Sequence, residues 1–387
     1  MYEIYLKKNE EKRIIAGHPW VYANEVARIE GKDKNGALVS VFSNDGKFIG
    51  KGYINHLSKI LVRIFIRDDK TDDENFYKER IRRADDYRKS LGFENAYRMV
   101  FAESDDLPAL IIDKYDDVFV MECLSYGISQ RKNLIVKCLV DLFNPRGVYE
   151  KSESQVLKKE GLPDTSGVLY GEVPENIIIN ENGIKMSVDV RNGQKTGYFL
   201  DQKENRFAIR RYAKDKAVLD CFCNSGGFSM NAAAVARKVT AVDISETAVK
   251  KVEENARLNG FTNVEAVEAD VFSFLREARS RNEKYGLVIL DPPAFTKSAS
   301  EISDAYRGYK DINILGMKLT ESGGFLVTSS CSQHMTLPLF KKMLAESARE
   351  SGKRVRIVEI KTQSPDHPSL LSADETVYLK FFVLQIL

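Results

Sequence analysis

Residues 217–230 read AVLDCFCNSGGFSM, and this stretch constrains the fold more than any other part of the chain. Ala217-Val218-Leu219 is a short apolar run, long enough for a buried strand, and it ends on Asp220. Small and polar residues follow (Cys221, Phe222, Cys223, Asn224, Ser225). Gly226-Gly227 then opens a stretch, Phe228 to Arg237, whose alanines favour helix. An open α/β sheet begins a nucleotide site in this order, with the ligand beyond the carboxyl ends of the strands. Neither G-x-G-x-x-G nor G-x-x-x-x-G-K-[ST] is present. A glycine pair without such a loop suits a ligand with no phosphates, S-adenosylmethionine first among them. An ordinary strand–helix turn in another kind of enzyme is the alternative.

From Ala217 onward, strand and helix patterns alternate. Strands are expected at 217–220, 239–243, 264–269, 286–291, 323–329, 355–360 and 376–385, and helices at 228–237, 246–259, 271–281, 301–320 and 337–351. Seven strands, the last long and apolar, match the methyltransferase variant of the doubly wound fold. Asp243 ends the second strand, where a carboxylate can accept from both ribose hydroxyls, and Ser245 after it reads as a helix N-cap. Asp270 ends the third, where it can accept from an adenine amine. Each acid alone is equally well a solvated strand-end residue, but three in register, counting Asp220, define one edge.

The fourth strand runs into Asp291-Pro292-Pro293-Ala294-Phe295, a turn made rigid by two fixed proline φ angles. In methyltransferases this position holds the target base. The aromatic comes one place later than in the D-P-P-[YF] pattern of N6-adenine enzymes. The fifth strand ends Thr328-Ser329-Ser330-Cys331-Ser332. Cys331 reads equally as a small buried thiol or as a nucleophile. As a nucleophile it has a specific use: a thiolate added to C6 of a pyrimidine makes the otherwise unreactive C5 enamine-like.

The residues before 217 divide into further parts. Glycine and Asn/Asp turns between short apolar pieces, such as Ala37–Phe42 and Ile60–Ile66, make 1–72 a small β domain. It holds the one tryptophan, Trp20, either a core residue or a stacking platform for RNA. Helices at 75–91 and 129–143 with strands at 97–102, 109–113 and 118–124 make 73–182 a small α+β domain of two strand pairs; 183–387 is the third domain. The formal net charge of +2 gives no whole-chain argument for nucleic acid. No apolar run approaches 18 residues, and five scattered cysteines suit reduced thiols, so a cytoplasmic protein without a membrane span is expected. Cys221-x-Cys223 has the wrong spacing for a zinc site, and no metal is expected.

With these motifs in hand, the chain resembles the bacterial class I S-adenosylmethionine-dependent ribosomal RNA methyltransferases of the large-subunit methyltransferase I type. The resemblance covers nearly all 387 residues. It rests on Gly17-His18-Pro19-Trp20, Glu103-Ser104-Asp105-Asp106-Leu107-Pro108, Gln194 to Gln202 (QKTGYFLDQ), Asp291 to Phe295 and Ser330-Cys331-Ser332. It implies a PUA-like RNA-binding domain, a central α+β domain and a Rossmann-like methyltransferase domain making 5-methylcytosine in 23S rRNA or a large-subunit assembly intermediate. It implies Cys331 and Asp291 as catalytic, Asp291 on the N3/N4 edge of cytosine, with Pro292, Pro293 and Phe295 lining the base site. Lys195, Thr196, Phe199 and Gln202, with Arg206 behind them, would cover the cofactor. The remaining cofactor set is Asp220, Phe222, Asn224, Gly226, Gly227, Asp243, Ile244, Ser245, Asp270, Val271 and Asp291. A homodimer is a further expectation from the same source. The opening loop departs from the Tyr-Thr-Gly-Gly type common in the family, and the group that takes the C5 proton has no counterpart to assign.

Overall fold

The computed structural model describes residues 2–32, 34–68, 70–296 and 301–387, in two compact units. One comprises Met1–Ile179, Val188–Leu200 and Pro365–Thr376; the other comprises Asn180–Ser187, Asp201–Ser364 and Val377–Leu387.

In the first unit, β1 (Glu3–Leu6), α1 (Glu11–Ile15), β2 (Trp20–Tyr22), β3 (Val26–Glu30), β4 (Leu38–Phe42), β5 (Phe48–Ile54) and β6 (Ile60–Ile66) build a six-stranded sheet. Its order is β2-β6-β5-β4-β1-β3, and only the β1–β4 pair is parallel. Next comes α2 (Glu74–Ser90), begun by the Asp73 carboxylate accepting from the Phe76 N–H at 2.9 Å. Strands β7 (Ala96–Phe101), β8 (Leu110–Tyr115) and β9 (Val118–Cys123) follow, then α3 (Tyr126–Phe143), β10 (Gly147–Ser152), α4 (Gln155–Glu160) and β11 (Thr165–Gly171). Here the outcome differs from two strand pairs: five strands form one sheet, β11-β10-β9-β8-β7. Charge hides β10 in the sequence. Its Glu150 and Lys151 are both buried, Glu150 against Lys132 at 2.7 Å. Phe76, Tyr77 and Ile81 of α2 and Ile135 and Leu139 of α3 join Tyr97, Leu110, Ile112 and Phe119 of the sheet in one buried cluster. α3 also starts three residues before the expected Ser129.

A hairpin of β12 (Ile177–Glu181) and β13 (Ile184–Val188) follows, also unexpected. Its turn is Asn182-Gly183, both at positive φ (56° and 79°), the geometry that lets two antiparallel strands twist together.

The second unit holds α5 (Lys203–Ala208), α6 (Arg210–Ala213), β14 (Ala217–Cys221), α7 (Gly227–Ala233), β15 (Lys238–Asp243), α8 (Glu246–Leu258), β16 (Val264–Glu268) and α9 (Val271–Ser280). It continues through β17 (Tyr285–Leu290), α10 (Ile302–Leu319), β18 (Thr320–Ser330), α11 (Leu337–Ser351), β19 (Val355–Lys361) and β20 (Lys380–Ile386). All seven expected strands and five expected helices are present, with shifts at their ends. α7 stops at Ala233 and β20 starts at Lys380 rather than 376, because 374–376 form a 3-10 turn.

The sheet order is β16-β15-β14-β17-β18-β20-β19, parallel except for β20, which runs antiparallel to both neighbours. The period of two decides which face each residue covers. Val218, Leu287, Ile289, Phe381 and Val383 pack beneath α6 and α7 with Ile209, Tyr212 and Phe228. Leu219, Cys221, Val288, Leu290, Phe382 and Leu384 pack on the other face with residues of α9, α10 and α11. Both faces are covered, which is why these strands read as continuous apolar runs. A fully buried side chain such as Phe382 contributes about 1.5–3 kcal/mol by leaving water. This frame holds the carboxyl ends of β14, β15, β17 and β18 in fixed register.

Candidate active site

Beyond β14 the backbone doubles back through three left-handed residues: Phe222 (φ 60°), Asn224 (φ 49°) and Gly226 (φ 84°). For phenylalanine that conformation costs about 1–2 kcal/mol, a strain of the kind found at ligand clamps. Side chains pin the loop. The Asn224 N–H donates to Asp243 Oδ2 at 2.9 Å, and Asn255 Nδ2 donates to the Ser225 carbonyl at 2.9 Å. A Cβ on Gly226 would lie 3.1 Å from Val252 Cγ2, so the turn requires glycine both for its φ and for its closeness to α8.

Under this loop lies Asp220, 1% exposed. Ser229 Oγ donates to its Oδ2 at 2.6 Å, while its Oδ1 is buried without a hydrogen-bond partner. Burial is the main cause that raises its pKa from 3.8 to about 7; the Ser229 hydrogen bond opposes this, and Asp291 and Asp243 add to it. A buried carboxylate with one unmatched oxygen is a place prepared for a cationic or donor-bearing ligand.

Asp243 accepts at Oδ2 from the Asn224 N–H and at Oδ1 from the Ser245 N–H at 3.0 Å. Each oxygen retains a lone pair. Ser245 caps α8, as expected, through the Ala248 N–H at 3.3 Å. Ile244 between them is 68% exposed, an apolar side chain left at the strand tip. Asp270 sits after β16, not at its end, and caps α9 by accepting from the Ser273 N–H at 2.9 Å. Val271 next to it is buried.

At the ends of β17 and β18 the structure gathers a second set of groups. Asp291 Oδ1 accepts from Gln202 Nε2 at 2.9 Å and from the Ser329 hydroxyl. Gln202 is itself oriented by Asn205, whose Nδ2 donates to Gln202 Oε1 at 2.7 Å. Pro292 is buried and Pro293 exposed. The Phe295 ring is held between Phe222 (6.2 Å), Phe272 (6.1 Å) and Tyr309 (4.6 Å, centroid to centroid).

Cys331 follows β18 and is partly exposed, whereas Cys123, Cys138, Cys221 and Cys223 are buried. Burial holds the thiols of Cys221 and Cys223 well above the ordinary range. Serines fix the backbone on both sides of Cys331. Ser330 Oγ donates to Tyr309 Oη at 3.0 Å and Ser332 Oγ to the Thr296 carbonyl at 3.4 Å. Leu290 pairs with Thr328, so Asp291 lies level with Ser329 and Cys331 two residues further along the neighbouring strand. Strand spacing and rise separate positions related in this way by about 8 Å between Cα atoms.

The expected covering loop divides between the units. Lys195, Thr196 and Phe199 belong to the first, Gln202 and Arg206 to the second. Thr196 is buried, its hydroxyl on Asp113 and 2.9 Å from Tyr115 Oη. The Lys195 ammonium lies 4.5 Å from the Phe199 ring centre. Arg206 makes a buried two-pronged pair with Glu181, both contacts 2.6 Å, which ties α5 to the hairpin. Trp20 in the first unit donates its indole N–H to Glu103 at 2.8 Å, so that ring is anchored on one edge.

Two groups in this constellation were not singled out from sequence: Ser329 and Lys380. Lys380 is a lone charge in the apolar run KFFVLQIL, and a charge buried in such a run is the signal that marks it.

Comparison with known proteins bears on the family and the fold. Residues 107–383 match the S-adenosylmethionine-dependent methyltransferase family, and residues 4–67 match a PUA-like domain. The chain is 40% identical to proteins named ribosomal RNA large subunit methyltransferase I from Aeromonas salmonicida, over 99% of this chain and 98% of that one, and from Vibrio vulnificus, over 99% of each. Among solved structures, a protein from Streptococcus mutans described as a candidate SAM-dependent methyltransferase superposes over the full length of both chains with a TM-score of 0.85 and 23% identity. Another candidate methyltransferase, solved with SAH bound, does so at 0.85 and 24%.

Proposed function

The chain belongs to the S-adenosylmethionine-dependent methyltransferase family, and on that premise we propose that it methylates carbon 5 of a cytosine in large-subunit ribosomal RNA. The observation that carries this reading is the placement of Cys331, the one cysteine not buried, two residues beyond the position level with Asp291 at the end of the neighbouring strand. Support for the RNA comes from the PUA-like domain and from the names of relatives 40% identical over nearly the whole chain.

The second unit fits the cofactor: beneath this loop the buried Asp220 Oδ1 has no hydrogen-bond partner, so it can accept from the ligand. Asp220, Phe222, Asn224, Gly226 and Gly227 would hold its amino-acid end, Asp243 its ribose, and Ile244, Ser245, Asp270 and Val271 its base. Bound there, S-adenosylmethionine supplies an electrophilic methyl group. Asp291, locked by Ser329 and Gln202, would read the N3/N4 edge of the cytosine. The Cys331 thiolate adds to C6, the ring pair shifts to C5, and loss of the C5 proton after methylation re-forms the double bond and expels the thiolate. The base must be unstacked to reach this depth, so a flipped or single-stranded nucleotide is required. Cys331→Ala tests this reading: methyl transfer to stripped ribosomal RNA is expected to vanish while binding of the cofactor persists. Transfer that survives means a purine amine or guanine N7 is the acceptor and Cys331 is structural.

A further inference from the structure

A thiol attacks as its thiolate, and a partly exposed cysteine needs a partner to take its proton at neutral pH. Lys380 stands where such a partner is needed. It is the first residue of β20 and pairs in register with Ser330, the residue before Cys331. Its side chain is buried, 6% exposed, and reaches along the strand so that Nζ donates to the Ser332 carbonyl at 2.5 Å and to the Tyr378 carbonyl at 2.7 Å. The Ser332 carbonyl therefore holds Nζ beside the residue that follows Cys331, with two of its positions fixed by carbonyls and a third left for a proton or a lone pair. Among the described residues its charged neighbour is Cys331; Tyr309 sits on Ser330 across the strand pair, and the Tyr378 hydroxyl donates to Asp201 at 2.7 Å.

We propose that Lys380 takes the thiol proton of Cys331 and keeps that cysteine as a thiolate beside an ammonium. The S–H bond breaks, an N–H bond forms on Nζ, and nothing else is consumed. The electrostatics agree with the geometry. Burial lowers the Lys380 ammonium to about 8, and the Cys331 sulfur works against that lowering, as a neighbouring anion does. At neutral pH a far larger fraction of this side chain is then the free amine than in an exposed lysine, although the ammonium still predominates. The assignment rests on the cytosine-5 reading and adds a consequence: Lys380 already carries a proton while Cys331 is bonded to C6, so the C5 proton leaves to another group.

The test needs no RNA. Alkylation of Cys331 by iodoacetamide in the intact protein, followed by peptide mass spectrometry across pH, reports its thiolate directly, because the other four cysteines are buried. In Lys380→Gln the pH of half-maximal alkylation is expected to rise by about one unit or more, and kcat to fall roughly 10²–10³-fold with little change in KM. Lys380→Arg, which keeps a cation at the same place, is expected to alkylate at low pH as the parent does, and it decides the matter if the glutamine variant fails to fold. An unchanged alkylation profile in Lys380→Gln, or a raised one in Lys380→Arg, overturns the assignment. Methylation retained in Cys331→Ala defeats the cytosine-5 reading instead, so the two failures are distinct.

Discussion

Asp220 offers the sharpest quantitative prediction. Its carboxyl is held at about 7 in the folded protein, chiefly by burial, against 3.8 when unfolded. Below pH 4 both states hold the proton and the group costs nothing. As pH rises from about 4 to 7 the unfolded chain ionises first, so the folded state loses stability across that window and keeps the full penalty above it. At about 1.4 kcal/mol per pH unit the displacement amounts to about 4 kcal/mol. Asp220→Asn cannot ionise and escapes the penalty. Its amide nitrogen, placed where Oδ1 has no partner, costs about 1–3 kcal/mol of its own at every pH. The difference in unfolding free energy, variant minus parent, should therefore rise by about 4 kcal/mol between pH 4 and pH 8, leaving the variant the more stable protein at pH 8. Urea unfolding followed by circular dichroism at half-unit pH steps measures this. The same variant should bind S-adenosylmethionine at least tenfold more weakly by calorimetry, because the buried anion that costs the fold stability is what a cationic ligand would neutralise. A difference that stays flat with pH refutes the account of Asp220.

Other consequences can be checked with single variants. Arg206→Ala strands Glu181 in a buried site and should cost about 3–5 kcal/mol by urea unfolding, whereas replacing both with methionine should recover most of it. Gly226→Ala forces a Cβ into a left-handed turn 3.1 Å from Val252, with an expected loss of about 1–2 kcal/mol in stability and weaker cofactor binding by calorimetry. Ser329→Ala frees one side of Asp291; steady-state kinetics should show kcat lowered roughly 10–100-fold, the equivalent of one hydrogen bond to a charged group, with cofactor affinity unchanged.

The methyltransferase unit was legible because its central strands are buried on both faces and Asp220, Asp243 and Asp291 stand at or beside three strand ends, so apolar runs and acids mark it together. The first unit was less so, since β10 buries Glu150, paired with Lys132 of α3, and Lys151 beside it, and pattern reading takes charge for surface. The β12–β13 hairpin is a different case: Asn182-Gly183 between Ile177/Ile179 and Ile184/Met186 is a strong turn signal that stood in the sequence unread. In the site, residue types offered Cys331 as a candidate nucleophile but not the groups around it. Ser329 and Gln202 meet Asp291 from 38 and 89 residues away, and Lys380 reaches Ser332 across 48. Such pairings follow from sheet order, which spacing along one chain does not reveal.

The central claim is that the methyl group goes to C5 of a cytosine. Large-subunit ribosomal RNA stripped of this modification, incubated with the protein and isotopically labelled S-adenosylmethionine, can be digested to nucleosides and resolved by mass spectrometry. The account predicts label in 5-methylcytidine alone, and none with Cys331→Ala; label in a methylated adenosine or guanosine contradicts it.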